Sequence, residues 1–212
     1  MEQTEKGTSA HTSLKERQRQ ERRTLILQIA EEVLMEKGYY ETSIDEIAAR
    51  VGIAKGTVYL HFPSKGDLVV AILMRDLQHL LVKIDEVAAT EATAHDKVEA
   101  ILHCAYGTIF IKRMQLLSSL FHSEDAKRHQ KEHGDTLRDL SEQLATKLSA
   151  VLEQGKEAGE FDATIPTPIM LSAFFGLLSP RGYEQLVARA QMGKDEVVRQ
   201  LGRLYLKGIT RL

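Results

Sequence analysis

No proline interrupts the chain between Pro63 and Pro166, and across that span apolar residues recur at spacings of three and four. That spacing places one apolar stripe along a helix, whereas a half-buried strand needs strict alternation. Runs of β-branched residues are also missing. The expected fold is therefore all-α, with about nine helices. They fall at 14–37, 44–51, 53–62, 64–90, 95–112, 113–122, 124–158, 166–178 and 194–211. The longest has a clean stripe of Leu137, Leu140, Leu144, Leu148 and Val151. The polar start, residues 1–13, is expected to be disordered.

Composition narrows the function classes. Apolar residues make up 43% of the 212, enough for a sizeable core. The formal net charge is −2, so bulk charge does not announce a nucleic-acid partner, and any such partner must meet a local patch. The single cysteine, Cys104, excludes an intrachain disulfide and suits a reducing compartment. With no bilayer-length apolar run and no signal-like segment, the chain is expected to be cytoplasmic and to need no membrane.

Local chemistry is densest in "TSIDEIAARVGIAKGTVYLHFPSKGDL", residues 42–68. Ser43 and Glu46 have capping-box spacing at the start of a two-turn helix whose inner face is Ile44, Ile47, Ala48 and Val51. Gly52 then stands where the chain must turn sharply. The next helix is short and carries a helix-weakening Gly56. Its inner face is Ile53, Val58 and Phe62; its outer face is Lys55, Gly56, Thr57, Tyr59 and His61. Two helices joined by a tight glycine turn, with a polar outer face on the second, match a helix-turn-helix that lodges in a DNA major groove. Gly56 then allows close approach of backbone to duplex, Thr57 suits base edges, and Tyr59 and His61 suit phosphates. Upstream, "LKERQRQERR" holds five basic residues against two acidic ones. Lys15, Arg17 and Arg22 are its candidates for the DNA backbone or minor groove.

Residues 42–73 resemble the DNA-binding signature of the TetR/AcrR family of bacterial transcriptional regulators. The likeness rests on the capping box, the Ala-x-x-x-Gly turn, Gly-Thr-x-Tyr-x-His-Phe and the Ser-Lys that opens the fourth helix. "GKEAGEF" near residue 155 and "LYLKG" near residue 204 are weaker family features. Gly66 departs from the pattern, since relatives usually carry an acidic residue there. The resemblance implies residues 1–64 as a three-helix DNA-binding domain and 65–212 as a larger helical effector-binding and dimerisation domain. It implies phosphate contacts from Thr42 and Ser43. Ala54, Lys55, Gly56 and Thr57 would lie in the groove, with Tyr59, His61 and Lys65 clamping the backbone.

The same resemblance implies a homodimer through the last two helices, a palindromic operator, and release from it by a small molecule, hence a repressor. The helix 166–178 is almost wholly apolar, which suits a partner helix. An effector cavity would be lined by His103, Cys104, Tyr106 and Phe110, followed by Met114, Leu117 and Phe121, with Phe174 from the penultimate helix. Little acid lies in the 101–121 segment, while Lys112 and Arg113 are present, so the expected effector is apolar and neutral or anionic. Taken one at a time, these residues read more readily as core, and Cys104 as a small buried apolar residue.

Catalysis is not expected: the sequence offers no nucleophile–base pair, no paired carboxylates facing a pocket and no cofactor fingerprint. His129 and His133 have the spacing of a zinc pair, with His122 and Glu124 nearby, but no second ligand cluster is evident and no metal is expected. An all-α enzyme and a ligand-free structural dimer are the competing readings.

Overall fold

The computed structural model describes residues 5–106, 126–178 and 193–211. All regular elements among them are helices: α1 Glu5–Glu41, α2 Ile44–Val51, α3 Lys55–His61, α4 Lys65–Ala88, α5 Ala94–Ala105, α6 Ala126–Glu157, α7 Thr167–Leu177 and α8 Lys194–Ile209. The helix expected at 113–122 lies outside the described residues. The expected unstructured lead is helical from Glu5 onward, and α1 breaks at Gly38. Contacts divide the chain into two units, residues 1–72 and 73–212, so the division falls inside α4 rather than at its start.

In the first unit α1 packs on α2 and α2 on α3. Ile26, Ala30, Val33 and Leu34 of α1 are buried, as are Ile47 and Ala48 of α2 and Val58 and Phe62 around α3. Leu25, next to the buried Ile26, is exposed, because its position has turned past the packed face. The Ser43 hydroxyl accepts from the Glu46 N–H at 3.2 Å. The Glu46 carboxylate, however, pairs with Lys37 and Arg50 instead of reaching back to Ser43, and so ties the end of α1 to α2. Two cationic partners outcompete one neutral N–H for an ionised carboxylate.

α2 ends in a Schellman motif. Gly52 sits at φ 78°, its N–H donating to Ala49 and Ala48, and the Ile53 N–H donates to Ala48 at 3.0 Å. A side chain at Gly52 would cost about 1–2 kcal/mol in that left-handed conformation. The first turn of α4 is capped: Ser64 accepts from the Asp67 N–H and donates to the Asp67 carboxylate.

In the second unit α5 packs on α6 and α8, and α7 packs on α6 and α8. Val98, Ile101 and Leu102 are buried, with Leu148, Val151 and Leu152 of α6 and Met170, Phe174, Tyr205, Leu206 and Ile209 of the last two helices. The segment "GKEAGEF" joins these elements. The Phe161 ring lies where a Cβ on Gly155 would be, 2.2 Å from the built position, so only glycine lets this side chain seat against α6. Glu160 accepts from the N–H groups of Ala94 and His95, capping α5 from a distant loop. Asp162 N–H donates to Ile209 and Arg211 N–H to Glu160, fixing the end of α8 to the same corner. Thr167 opens α7 by donating to Glu153 and accepting from Lys156 at 2.5 Å.

Candidate nucleic-acid interface

α3 is only seven residues long, and its N-cap, Ala54, supplies no side-chain hydrogen bond. Such a segment is unstable alone and must be held by its neighbours. Val58 is fully buried and Phe62 nearly so, anchoring the inner face. Ile53, expected beside them, is only half-buried.

The other end is held by Arg23 of α1. Its guanidinium donates to the His61 carbonyl at 2.9 Å and lies 4.2 Å from the centre of the Phe62 ring. A cation at a helix C-terminus complements the helix dipole, and stacking on the ring fixes the guanidinium plane. Arg23 therefore sets where α3 ends relative to α1.

The outward face comes from what remains. Ala54, Lys55, Gly56, Tyr59 and Leu60 are exposed; Thr57 and His61 are half-exposed. Apart from its chain neighbours and the backbone of α3, no heavy atom of the described residues lies within 4 Å of a Cβ built on Gly56, so its missing side chain accommodates none of their side chains. Lys55 pairs with Asp45 of α2 at 2.7 Å, and the hydrogen bond to that carboxylate raises its pKa. Ser43 is exposed at the positive end of α2.

Burial lowers the His61 pKa, and the charges of Arg19, Arg23 and Arg22 lower it further. Those three arginines therefore direct their field at the C-terminal end of α3. Arg22 was among the sequence candidates; Arg19 and Arg23 were not. Their spacing, 19, 22 and 23, was the available signal, since residues three and four apart share a helix face. Arg17 instead pairs with Glu21 along α1 at 3.0 Å, and Lys15 is exposed.

Two expected phosphate contacts turn inward. The Thr42 side chain is buried and its hydroxyl donates to Gly38 at 2.7 Å, because the chain must be closed where α1 breaks. Lys65 donates to the carbonyls of Tyr39 at 2.5 Å and Thr42 at 2.8 Å and lies 4.4 Å from the Tyr39 ring centre. Desolvation lowers its pKa. Both residues brace the corner between α1 and α2 rather than offering a free polar tip.

For the expected effector lining, Tyr106 is buried and its hydroxyl donates to Leu177 at 2.6 Å. Phe174 is buried edge-on to Tyr205, with 5.8 Å between ring centres. His103 and Cys104 lie on the exposed side of α5, so Cys104 is not the buried apolar residue expected. It follows Ile101 and Leu102, which take the buried positions of that helix. Phe110, Met114, Leu117 and Phe121 lie outside the described residues. α7 and α8 share an apolar groove of about 320 Å³, lined by Ile165, Ile169, Ala173, Leu177, Leu204 and Gly208 among others. Ile169 is 58% exposed and Leu204 67%. No helix among the described residues is long and apolar enough to cross a membrane.

Comparison with known proteins agrees with this geometry. Residues 26–72 match the family model "Bacterial regulatory proteins, tetR family". The chain is 21% identical over 154 residues to the fatty acid metabolism regulator protein of Bacillus subtilis, covering 72% of this chain and 77% of that one. It is 29% identical over 144 residues to the transcriptional repressor KstR2 of Rhodococcus jostii, covering 68% and 70%. Among solved structures, a TetR/AcrR regulator from Thermobifida fusca superposes with a TM-score of 0.70 at 26% identity, covering 90% of this chain and all of that one. FadR of Bacillus subtilis, solved with stearoyl-CoA, gives 0.67 at 20% identity, covering 88% and 98%. Residues 26–72, which hold the braced α3 and its polar outer face, carry the DNA-binding region of the tetR family of bacterial regulatory proteins, and the chain as a whole is similar to TetR/AcrR transcriptional regulators.

Proposed function

We propose that this chain is a homodimeric repressor that reads a palindromic operator through α3 and leaves it when a largely apolar effector binds the second unit. One observation carries the DNA-reading half. A helix too short to stand alone is fixed from behind by Val58, Phe62 and Arg23, while Lys55, Gly56 and Tyr59 are exposed and Thr57 is half-exposed on its outer side. Lys55 and Thr57 would reach base edges, with Gly56 and Ala54 admitting the backbone to the groove. Ser43, Tyr59, His61, Arg19 and Arg22 would lie against phosphates. Thr42 and Lys65 act by holding the α1–α2 corner, and Lys15 and Arg17 reach the duplex only from the outer turns of α1.

The exposed apolar groove between α7 and α8 supports pairing of two copies through those helices, because a face carrying Ile169, Phe175 and Leu204 in water is costly. Two copies would present two α3 helices to half-sites about one DNA turn apart, or a multiple of it. The effector is proposed as an apolar chain or ring system with an anionic end. That reading rests on a relative named for fatty acid metabolism and a neighbour solved with stearoyl-CoA, and on the low acid content of residues 101–121. Effector and DNA affinities would be reciprocally linked.

The test is fluorescence anisotropy with duplexes from the gene's own upstream region, at two salt concentrations. Tyr59→Ala should weaken binding to all duplexes, and Thr57→Ala should change the sequence preference. Stearoyl-CoA should lower affinity for the preferred duplex while palmitoylcholine, a cationic amphiphile, should not. Undiminished DNA binding by a Lys55→Ala, Tyr59→Ala double variant would refute the interface.

A further inference from the structure

We propose that His129, Glu132 and His133 of α6 form a binding site for a divalent transition-metal ion of the zinc class. The three residues stand at i, i+3 and i+4 of one helix and so share a face. One donor atom from each lies within 4.8 Å of the others. The two imidazole rings are nearly parallel, 13° apart in plane, with centres 6.1 Å apart. Two nitrogens bound to one zinc ion at about 2.0–2.1 Å lie roughly 3.3 Å from each other, so small side-chain rotations bring this set into range.

The chemistry of the donors selects the ion. Two imidazoles and one carboxylate suit zinc, nickel or copper and disfavour the oxygen-seeking magnesium and calcium. Burial gives an order to the set. His129 is only 2% exposed, while His133 is half-exposed and Glu132 exposed, so an ion enters from the Glu132 side and seats against a fixed His129.

Arg128 already competes for these donors. Its guanidinium is 3.3 Å from His129 Nε2 and 3.9 Å from the Glu132 carboxylate. A positive charge there opposes a second cation, so binding an ion requires the guanidinium to swing away. The site therefore predicts that removing Arg128 improves metal affinity, an effect that adventitious surface binding would not show. A second group of potential donors, His95, Asp96 and Glu99 of α5, serves as an internal control. Only His95 there offers nitrogen, and the other two donors are exposed carboxylates.

The experiment is a titration of zinc chloride into the chelator-treated full-length protein, with a competing zinc dye for affinity and cobalt(II) absorption for coordination. The expected result is a single saturable site in the wild type, with intense visible bands for bound cobalt. His133→Ala should weaken zinc by more than the 10–100-fold that loss of a merely supporting partner costs. Glu132→Gln should weaken it about tenfold, Arg128→Ala should tighten it several-fold, and His95→Ala should leave it unchanged. His133→Ala and Glu132→Gln alter half-exposed and exposed positions, so their outcome does not depend on whether a His129 variant folds. The proposal is overturned if the wild type shows no saturable zinc at micromolar concentration, if His133→Ala binds as the wild type does, or if His95→Ala alone removes the site.

Discussion

Two corners of the molecule carry glycines four residues apart, and they use them in opposite order. At Gly52–Gly56 the first glycine ends a helix in the left-handed conformation and the second faces open space. At Gly155–Gly159 the first lies against the Phe161 ring inside the unit and the second, at φ 76°, ends the helix. One missing side chain is filled by the protein itself. The other is filled by nothing among the described residues, as expected of a surface that a second molecule must approach. Within a single sequence, the same spacing marks an interior joint in one place and an exterior contact in the other.

The interior joint should break hardest. Gly155→Ala puts a Cβ into the Phe161 ring and within 2.8 Å of the Ala94 Cβ, and Phe161 cannot leave without uncovering the corner that caps α5. Overpacking of this kind costs about 1–3 kcal/mol, so thermal unfolding of the second unit should shift down clearly. An unchanged melting temperature would mean that the corner repacks freely.

Next in size is the brace behind the exterior contact. Arg23→Ala removes the hydrogen bond to His61 and the stack on Phe62, and should weaken DNA binding at least tenfold with a smaller loss of stability. Arg23→Lys should restore little, since an ammonium keeps the charge but not the planar stack. Anisotropy and thermal melts on the same samples separate the two effects.

Smaller still is the Asp45 variant. Asp45→Asn frees Lys55 from its carboxylate partner and removes a negative charge beside the outward face, so DNA affinity should rise a few-fold at low salt and less at high salt. Weaker binding would show that Asp45 orients Lys55 productively.

The mildest effect is one of pH. His61 has a folded-state pKa below its usual value, so the unfolded chain takes up its proton more readily and folding stability declines as pH falls through about 6.5. A phosphate beside the ring favours the protonated form, so the complex takes up a proton. DNA affinity should therefore rise modestly from pH 8 to pH 6, and His61→Gln should flatten that slope. Equal slopes in the two proteins would place His61 away from phosphate.

The first corner was legible in the sequence because its signals are local. A capping serine, a glycine after two turns, and alternating inner and outer residues on α3 need no knowledge of distant contacts. What escaped notice there is long-range. Lys65 and Thr42 turn inward to carbonyls at Tyr39 and Gly38, and Arg23 reaches 38 residues along the chain to His61. At the second corner "GKEAGEF" could be noticed but not explained, since the partners that give it meaning are Ala94, His95 and Ile209. Cys104 was misplaced for a related reason: helical spacing gives a stripe, but not how wide that stripe is once α5 is packed.

Gly56→Leu tests the central difference most directly, with melting temperature and duplex affinity measured on one preparation. Leucine is a better helix former than glycine by roughly 1 kcal/mol, and beyond α3's own backbone and the two chain neighbours none of the described residues lies within 4 Å of the added Cβ. Stability should hold or rise while affinity for the preferred duplex drops at least tenfold. A leucine variant that melts as the wild type does and binds DNA equally well would contradict the account.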